Sequence, residues 1–120
     1  MNTIRLGDCD FRFMSLVWDN EPVKSGDLVK LCEAELGWKK STTYTTIKKL
    51  SEKGLLKNDA AVVTSLVSKE AIQKVESEHF VERTFQGSLP QFVAAFLGGR
   101  TLSDWEIKEI EALLQKHKEG

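Results

Sequence analysis

The sequence predicts a mainly α-helical chain with one small β-hairpin, and three observations carry that prediction. Apolar residues recur with the period of amphipathic helices up to Gly54. The period then breaks into two short runs of β-branched and apolar residues around a turn signal. Helical periodicity resumes after Ser68 and continues almost to the C-terminus.

The elements follow in order. Asp8 can cap a first helix whose stripe is Phe11, Met14, Val17 and Trp18, ending near Asp19. Asn20-Glu21-Pro22-Val23-Lys24 reads as a turn, because proline disfavours helix at the residue before it. Ser25 can cap a second helix with Leu28, Leu31, Cys32 and Leu36 on one face, and Gly37 suits its C-terminal cap. A third helix spans Lys40 to Lys53, with Thr43, Ile47 and Leu50 inward and Gly54 as its stop. Leu55-Leu56-Lys57 and Val62 through Val67 are the arms of the hairpin, with Asn58-Asp59-Ala60 as its turn. Ser68 opens a helix to about Phe85, ended by Gly87. Leu89, Phe92, Val93, Phe96 and Leu97 form the stripe of a fifth helix closed by Gly98-Gly99. Ser103-Asp104-Trp105-Glu106 is a capping box that starts a last helix with Ile107, Ile110 and Leu114 on one face.

At 120 residues the chain can form one small domain and an accessory helical segment. No apolar run is long enough for a transmembrane helix, and Met1 to Asp8 lack the basic-then-apolar pattern of a secretion signal. Cys9 and Cys32 are widely spaced, each on an apolar helical stripe, and are expected to be buried free thiols in a reducing cytoplasm. The net charge of −1 conceals an asymmetry. Trp38 to Asn58 carry six lysines (Lys39, Lys40, Lys48, Lys49, Lys53, Lys57) against Glu52 alone, so this stretch stands at +5 and the remainder at −6. Affinity for nucleic acid follows local phosphate neutralisation rather than the whole-chain total.

The third helix is the informative one. With Thr43, Ile47 and Leu50 inward, the helical period turns Ser41, Thr42, Thr45, Lys48, Lys49 and Glu52 outward and leaves Tyr44 at the margin. Short hydroxyls can reach base edges at close approach, and lysines reach flanking phosphates. The bland alternative is an ordinary solvated helix face. Order along the chain weighs against it. Helix, turn, helix, a short connection through Gly37-Trp38-Lys39, a hydroxyl-rich helix and then a hairpin is the winged helix-turn-helix sequence. Trp38 is expected to plug the corner between the second and third helices rather than to stack on a base.

The chain also resembles the penicillinase-repressor (BlaI/MecI/CopY) family. The resemblance rests on Leu6-Gly-Asp8, Trp18, the run Gly37-Trp38-Lys-Lys-Ser-Thr-Thr-Tyr-Thr-Thr-Ile-Lys-Lys-Leu50, Lys53-Gly-Leu55 and Ser65-Leu-Val-Ser-Lys-Glu70. Phe85-Gln-Gly-Ser-Leu89 and Leu102-Ser-Asp-Trp-Glu-Ile107 extend it, so that it runs from Leu6 to the end. It implies a homodimer with N-terminal DNA-reading domains, a C-terminal helical dimerisation region, and inverted-repeat operators commonly of TACA/TGTA type. Members that control β-lactam resistance are inactivated when a membrane sensor protease cuts an Asn-Phe bond in the fifth helix. The matching bond here is Ala95–Phe96, without the asparagine. Copper-responsive members carry a C-terminal cysteine cluster, and this chain has no cysteine after Cys32. The hairpin is shorter than is usual in the family, and Asp59 near its tip would repel phosphate.

The expectation is therefore a cytoplasmic repressor that acts by occupying double-stranded operator DNA as a homodimer, without cofactor, metal or catalytic residue. Residues 1–67 would form the DNA-binding domain, with Lys40, Ser41, Thr42, Tyr44, Thr45, Lys48, Lys49 and Lys53 as contacts. Residues 68–120 would form the dimerisation region through Phe80, Phe85, Leu89, Phe92, Val93, Phe96, Leu97, Ile107, Ile110 and Leu114. Apolar stripes of that size exceed what three short helices can enclose alone. The alternative is a winged-helix protein-interaction module without sequence-specific DNA binding. His79 and His117 lack partners at ligand spacing, and the acids of the last two helices read as a solvated face.

Overall fold

A computed structural model describes residues 5–119. The first four residues of the expected DNA-binding domain, and Gly120, lie outside the described residues. The elements run α1 (Asp8–Asn20), β1 (Val23–Lys24), α2 (Ser25–Leu36), α3 (Lys40–Glu52), β2 (Leu56–Asp59), β3 (Val62–Ser65), α4 (Lys69–Phe85), α5 (Leu89–Leu97) and α6 (Asp104–Lys118). The strands form one antiparallel sheet in the order β1-β3-β2. Mostly helical content, a hairpin after the third helix and C-terminal helices are what the periodicity predicts.

The chain divides into two compact units, Met1–Phe80 and Val81–Gly120, and the division falls within α4. The core of the first unit is Phe13, Met14 and Val17 from α1, Leu28 and Cys32 from α2, Ile47 and Leu50 from α3, and Leu55, Leu56 and Val63 at the sheet. Leu6 and Val23 join it, as does Ile72 of α4. Trp38 does plug its corner: it is half-buried and stacks on Phe13, with ring centroids 5.7 Å apart and planes at 11°. Gly37 ends α2 in the left-handed region at φ 67°, where a side chain would be strained.

Polar contacts tie the periphery to this core. The Trp18 indole N–H donates to the Val67 carbonyl at 3.0 Å, and the Leu6 amide donates to Glu76 Oε1 at 3.0 Å. The Glu21 carboxylate accepts from both the amide and the hydroxyl of Ser65, at 2.7 and 2.9 Å, which fastens the end of α1 to β3.

Several local expectations need correction. Asp8 and Ser25 do not cap their helices: Gly7 and Lys24 occupy the N-cap positions without a side-chain bond, and Ser25 is buried as the first residue of α2. Cys9 is exposed, because the inward face of α1 passes through Phe13, Met14 and Val17, and only Cys32 is buried. Burial pushes the Cys32 thiol above its ordinary value. Val23 and Lys24, read as part of a turn, form β1 and pair with Val63 and Val62. The hairpin turn is not at Asn58-Asp59. Both residues belong to β2, opposite Val63 and Val62, and the two-residue loop is Ala60-Ala61. Register decides this. Leu56 and Val63 must both face the core, and a one-residue slip would turn one of them out. Ala60 and Ala61 consequently hold φ 52° and 63°, the left-handed pair that a tight hairpin requires. The Ser25 amide donates to the Ala61 carbonyl at 2.8 Å and anchors the turn.

In the second unit, Ser88 caps α5 by accepting from the Gln91 amide, and Ser103 and Glu106 form the reciprocal capping box that the sequence predicts at α6. Phe92 meets Phe85 edge-on at 5.6 Å and Phe96 at 6.0 Å, and Arg100 lies over the Phe96 ring at 4.7 Å. Neither α5 nor α6 contains a buried residue. No helix among the described residues is long and apolar enough to cross a membrane.

Leu50 is fully enclosed at the centre of the first unit. Leu50→Ala is expected to lower unfolding free energy by about 2–5 kcal/mol, measured by denaturant titration. A change below about 1 kcal/mol would show that α3 is not held by that contact.

Candidate nucleic-acid interface

The inner face of α3 is set by Thr43, Thr46, Ile47 and Leu50, all buried. At about 100° per residue, Ser41, Thr45, Lys48 and Glu52 fall opposite that face. Thr42 and Lys49 lie on one flank and Tyr44 and Ser51 on the other. Contacts identify the flanks. Tyr44, Lys48, Ser51 and Glu52 share a shallow depression with Asn58 of β2, so that flank borders the hairpin. Lys49 Nζ donates to Asp10 Oδ1 of α1 at 3.0 Å, so the other flank borders α1.

Every residue expected at the interface (Lys40, Ser41, Thr42, Tyr44, Thr45, Lys48, Lys49 and Lys53) is exposed. They do not form a uniform surface. Ser41, Thr45 and Lys48 share the outermost sector. Tyr44 is 39% exposed at the hairpin side, and the Lys40 ammonium lies 6.0 Å from its ring centroid, a loose cation–π contact one turn away. Lys53 caps the end of α3. The Thr46 hydroxyl donates to the Thr42 carbonyl at 2.9 Å, which turns it away from the outer surface.

Two residues of consequence escape sequence reading. Asp10 supplies an acid beside the basic helix from 39 positions away, and no local spacing signals such a pair. Asn58 enters the site because β2 extends through the expected turn. Glu52 lies in the outermost sector together with Lys48, so one acid accompanies the lysines there.

The residues expected to join protomers are mostly open in the single chain. Phe80, Leu89, Val93, Phe96, Ile107, Ile110 and Leu114 are exposed, and Phe85, Phe92 and Leu97 are half-buried. Trp105, at 69% exposure, and Leu113 extend this apolar set. Ala95 and Phe96 lie inside α5, both exposed. Among the described residues, no group of three or more His, Cys, Asp or Glu side chains could hold a metal ion.

A helix-turn-helix whose third helix presents an open polar surface beside a β-hairpin defines the winged-helix class. Within that class, residues 6–116 match the penicillinase repressor family, and the chain belongs to that family of transcriptional regulators. Its relatives include the penicillinase repressor of Bacillus licheniformis, 25% identical over 95% of this chain and 92% of the relative. The methicillin resistance regulatory protein MecI of Staphylococcus aureus is also 25% identical, over 95% of this chain and 96% of the relative. An uncharacterized 16.5 kDa protein of Latilactobacillus sakei is 29% identical over 94% and 80%, respectively. The resemblance read from Leu6 onward is thereby confirmed.

Proposed function

We propose that this protein is a transcriptional repressor that binds inverted-repeat operator DNA as a homodimer, each protomer laying α3 in a major groove. The observation that carries this reading is the open sector of Ser41, Thr45 and Lys48 directly opposite the packed face of α3. Hydroxyls near the start of the helix suit base edges and thymine methyls, and lysines toward its end suit phosphates. The names of the two characterised relatives, a penicillinase repressor and a methicillin resistance regulator, agree with it.

In this reading residues 1–67 read DNA and residues 68–120 join protomers. The exposed apolar residues of α5 and α6 support the second assignment, since faces of that size are commonly closed by a symmetric partner. The protein acts in the cytoplasm by occupancy, with no catalytic step. The hairpin adds little affinity, because its tip is two alanines beside the exposed Asp59.

The test is selection of bound duplex from fragmented source genome, in the presence of excess nonspecific DNA. Enrichment of inverted repeats with half-sites about one helical turn apart is expected. No enrichment of any sequence would leave the interaction-module alternative standing. Lys48, which forms no ion pair among the described residues, gives a sharper test. Lys48→Ala should weaken binding to all duplexes and reduce the salt slope by about one unit. An unchanged slope would remove Lys48 from the phosphate contacts. Thr45→Ala should change the ranking of operator variants in competition binding, and equal losses on all of them would contradict base readout.

A further inference from the structure

Lys49 stands apart from Lys48 although the two are adjacent in the chain. It lies on the α1 flank of α3, and its ammonium is already at bonding distance from a carboxylate, 3.0 Å from Asp10 Oδ1. Asp10 is the more enclosed partner, at 17% side-chain exposure against 47% for Lys49. It sits in the first turn of α1, where the positive end of the helix favours an acid. The carboxylate is therefore the fixed end of the pair, and the lysine is the end that is held.

We propose that Asp10 is a positioning residue that serves as an internal counter-ion, holding Lys49 at the α1 flank and withholding its charge from the DNA backbone. The inference rests on the repressor reading. A phosphate that took Lys49 would have to displace Asp10, and the carboxylate would remain close by as unpaired negative charge. The salt dependence of binding counts phosphates neutralised by free cations, so a lysine neutralised from within adds little to it. The chain then binds its duplex less tightly, and with a shallower salt dependence, than its number of exposed lysines dictates.

Binding of one operator duplex is measured across a range of salt for the wild type, Asp10→Asn, Lys49→Ala and the double variant. Lys49→Ala leaves the Asp10 carboxylate unpaired beside the duplex, so it is expected to bind more weakly than the wild type with a slope no steeper. Asp10→Asn should bind more tightly at low salt with a slope steeper by about one unit, and the double variant should return to the wild-type slope. Asp10→Ser takes the place of the amide variant should that variant fail to fold by circular dichroism. If Asp10→Asn and wild type share a slope while Lys48→Ala lowers it, the repressor reading stands and the counter-ion role falls. If the double variant keeps the steeper slope, the effect is general loss of an acid rather than release of Lys49, and the proposal is overturned. Absence of salt-dependent binding by the wild type overturns the repressor reading and this inference together.

Discussion

The burial of one face of α3 governs everything that the rest of the first unit can present. Thr43, Ile47 and Leu50 pack into a core built from α1, α2 and the sheet, and that packing sets the orientation of the helix about its axis. Because neighbouring residues on a helix are separated by a fixed angle, anchoring the inner face also fixes the outer one. The open sector of Ser41, Thr45 and Lys48 is a consequence of apolar contacts on the far side. Nothing in the polar residues themselves determines it. Trp38 and the left-handed Gly37 contribute from the other end, since together they set where α3 begins and how sharply the chain turns into it.

The hairpin is positioned by a different kind of force. Its two inward residues, Leu56 and Val63, supply the register, while polar bonds from outside the sheet hold its ends. Glu21 grips Ser65 at the base, and the Ser25 amide grips Ala61 at the tip. Two alanines in the left-handed region cost free energy that glycine would not. The bond from α2 therefore works against a backbone preference, and the tip follows α2 rather than its own turn chemistry.

Most of the fold was legible because it is written in local periods. The packed stripes of the second and third helices, the extents of the fifth and sixth, the glycine after Leu36 and the capping box at Ser103 come from short-range signals, and the structure shows each of them. The misses share the opposite property. Val23 and Lys24 are a strand only because β3 offers them an edge, and two residues are too short for a pattern. Asn58-Asp59 carries stronger turn chemistry than Ala60-Ala61, yet the core contacts of Leu56 and Val63 override it. Cys9 reads as part of an apolar helical stripe, whereas the packed face of α1 is centred between Phe13, Met14 and Val17 and leaves Cys9 at its edge in the first turn. In the candidate site, the outward residues of α3 followed from the helical period alone. Asp10 did not, because an ion pair between residues far apart in sequence is a product of tertiary structure.

Helices that enclose no side chain within their own polypeptide cannot draw their order from it. A helix of nine residues such as α5 is marginal by itself in water, and its caps offset only part of that deficit. In the homodimer proposed above, the regularity of this half would be tied to mass action, growing with the number of molecules in solution and fading on dilution. Abundance in the cell would become a structural variable as much as a regulatory one, with scarcity loosening the segment proposed above to bring two copies together.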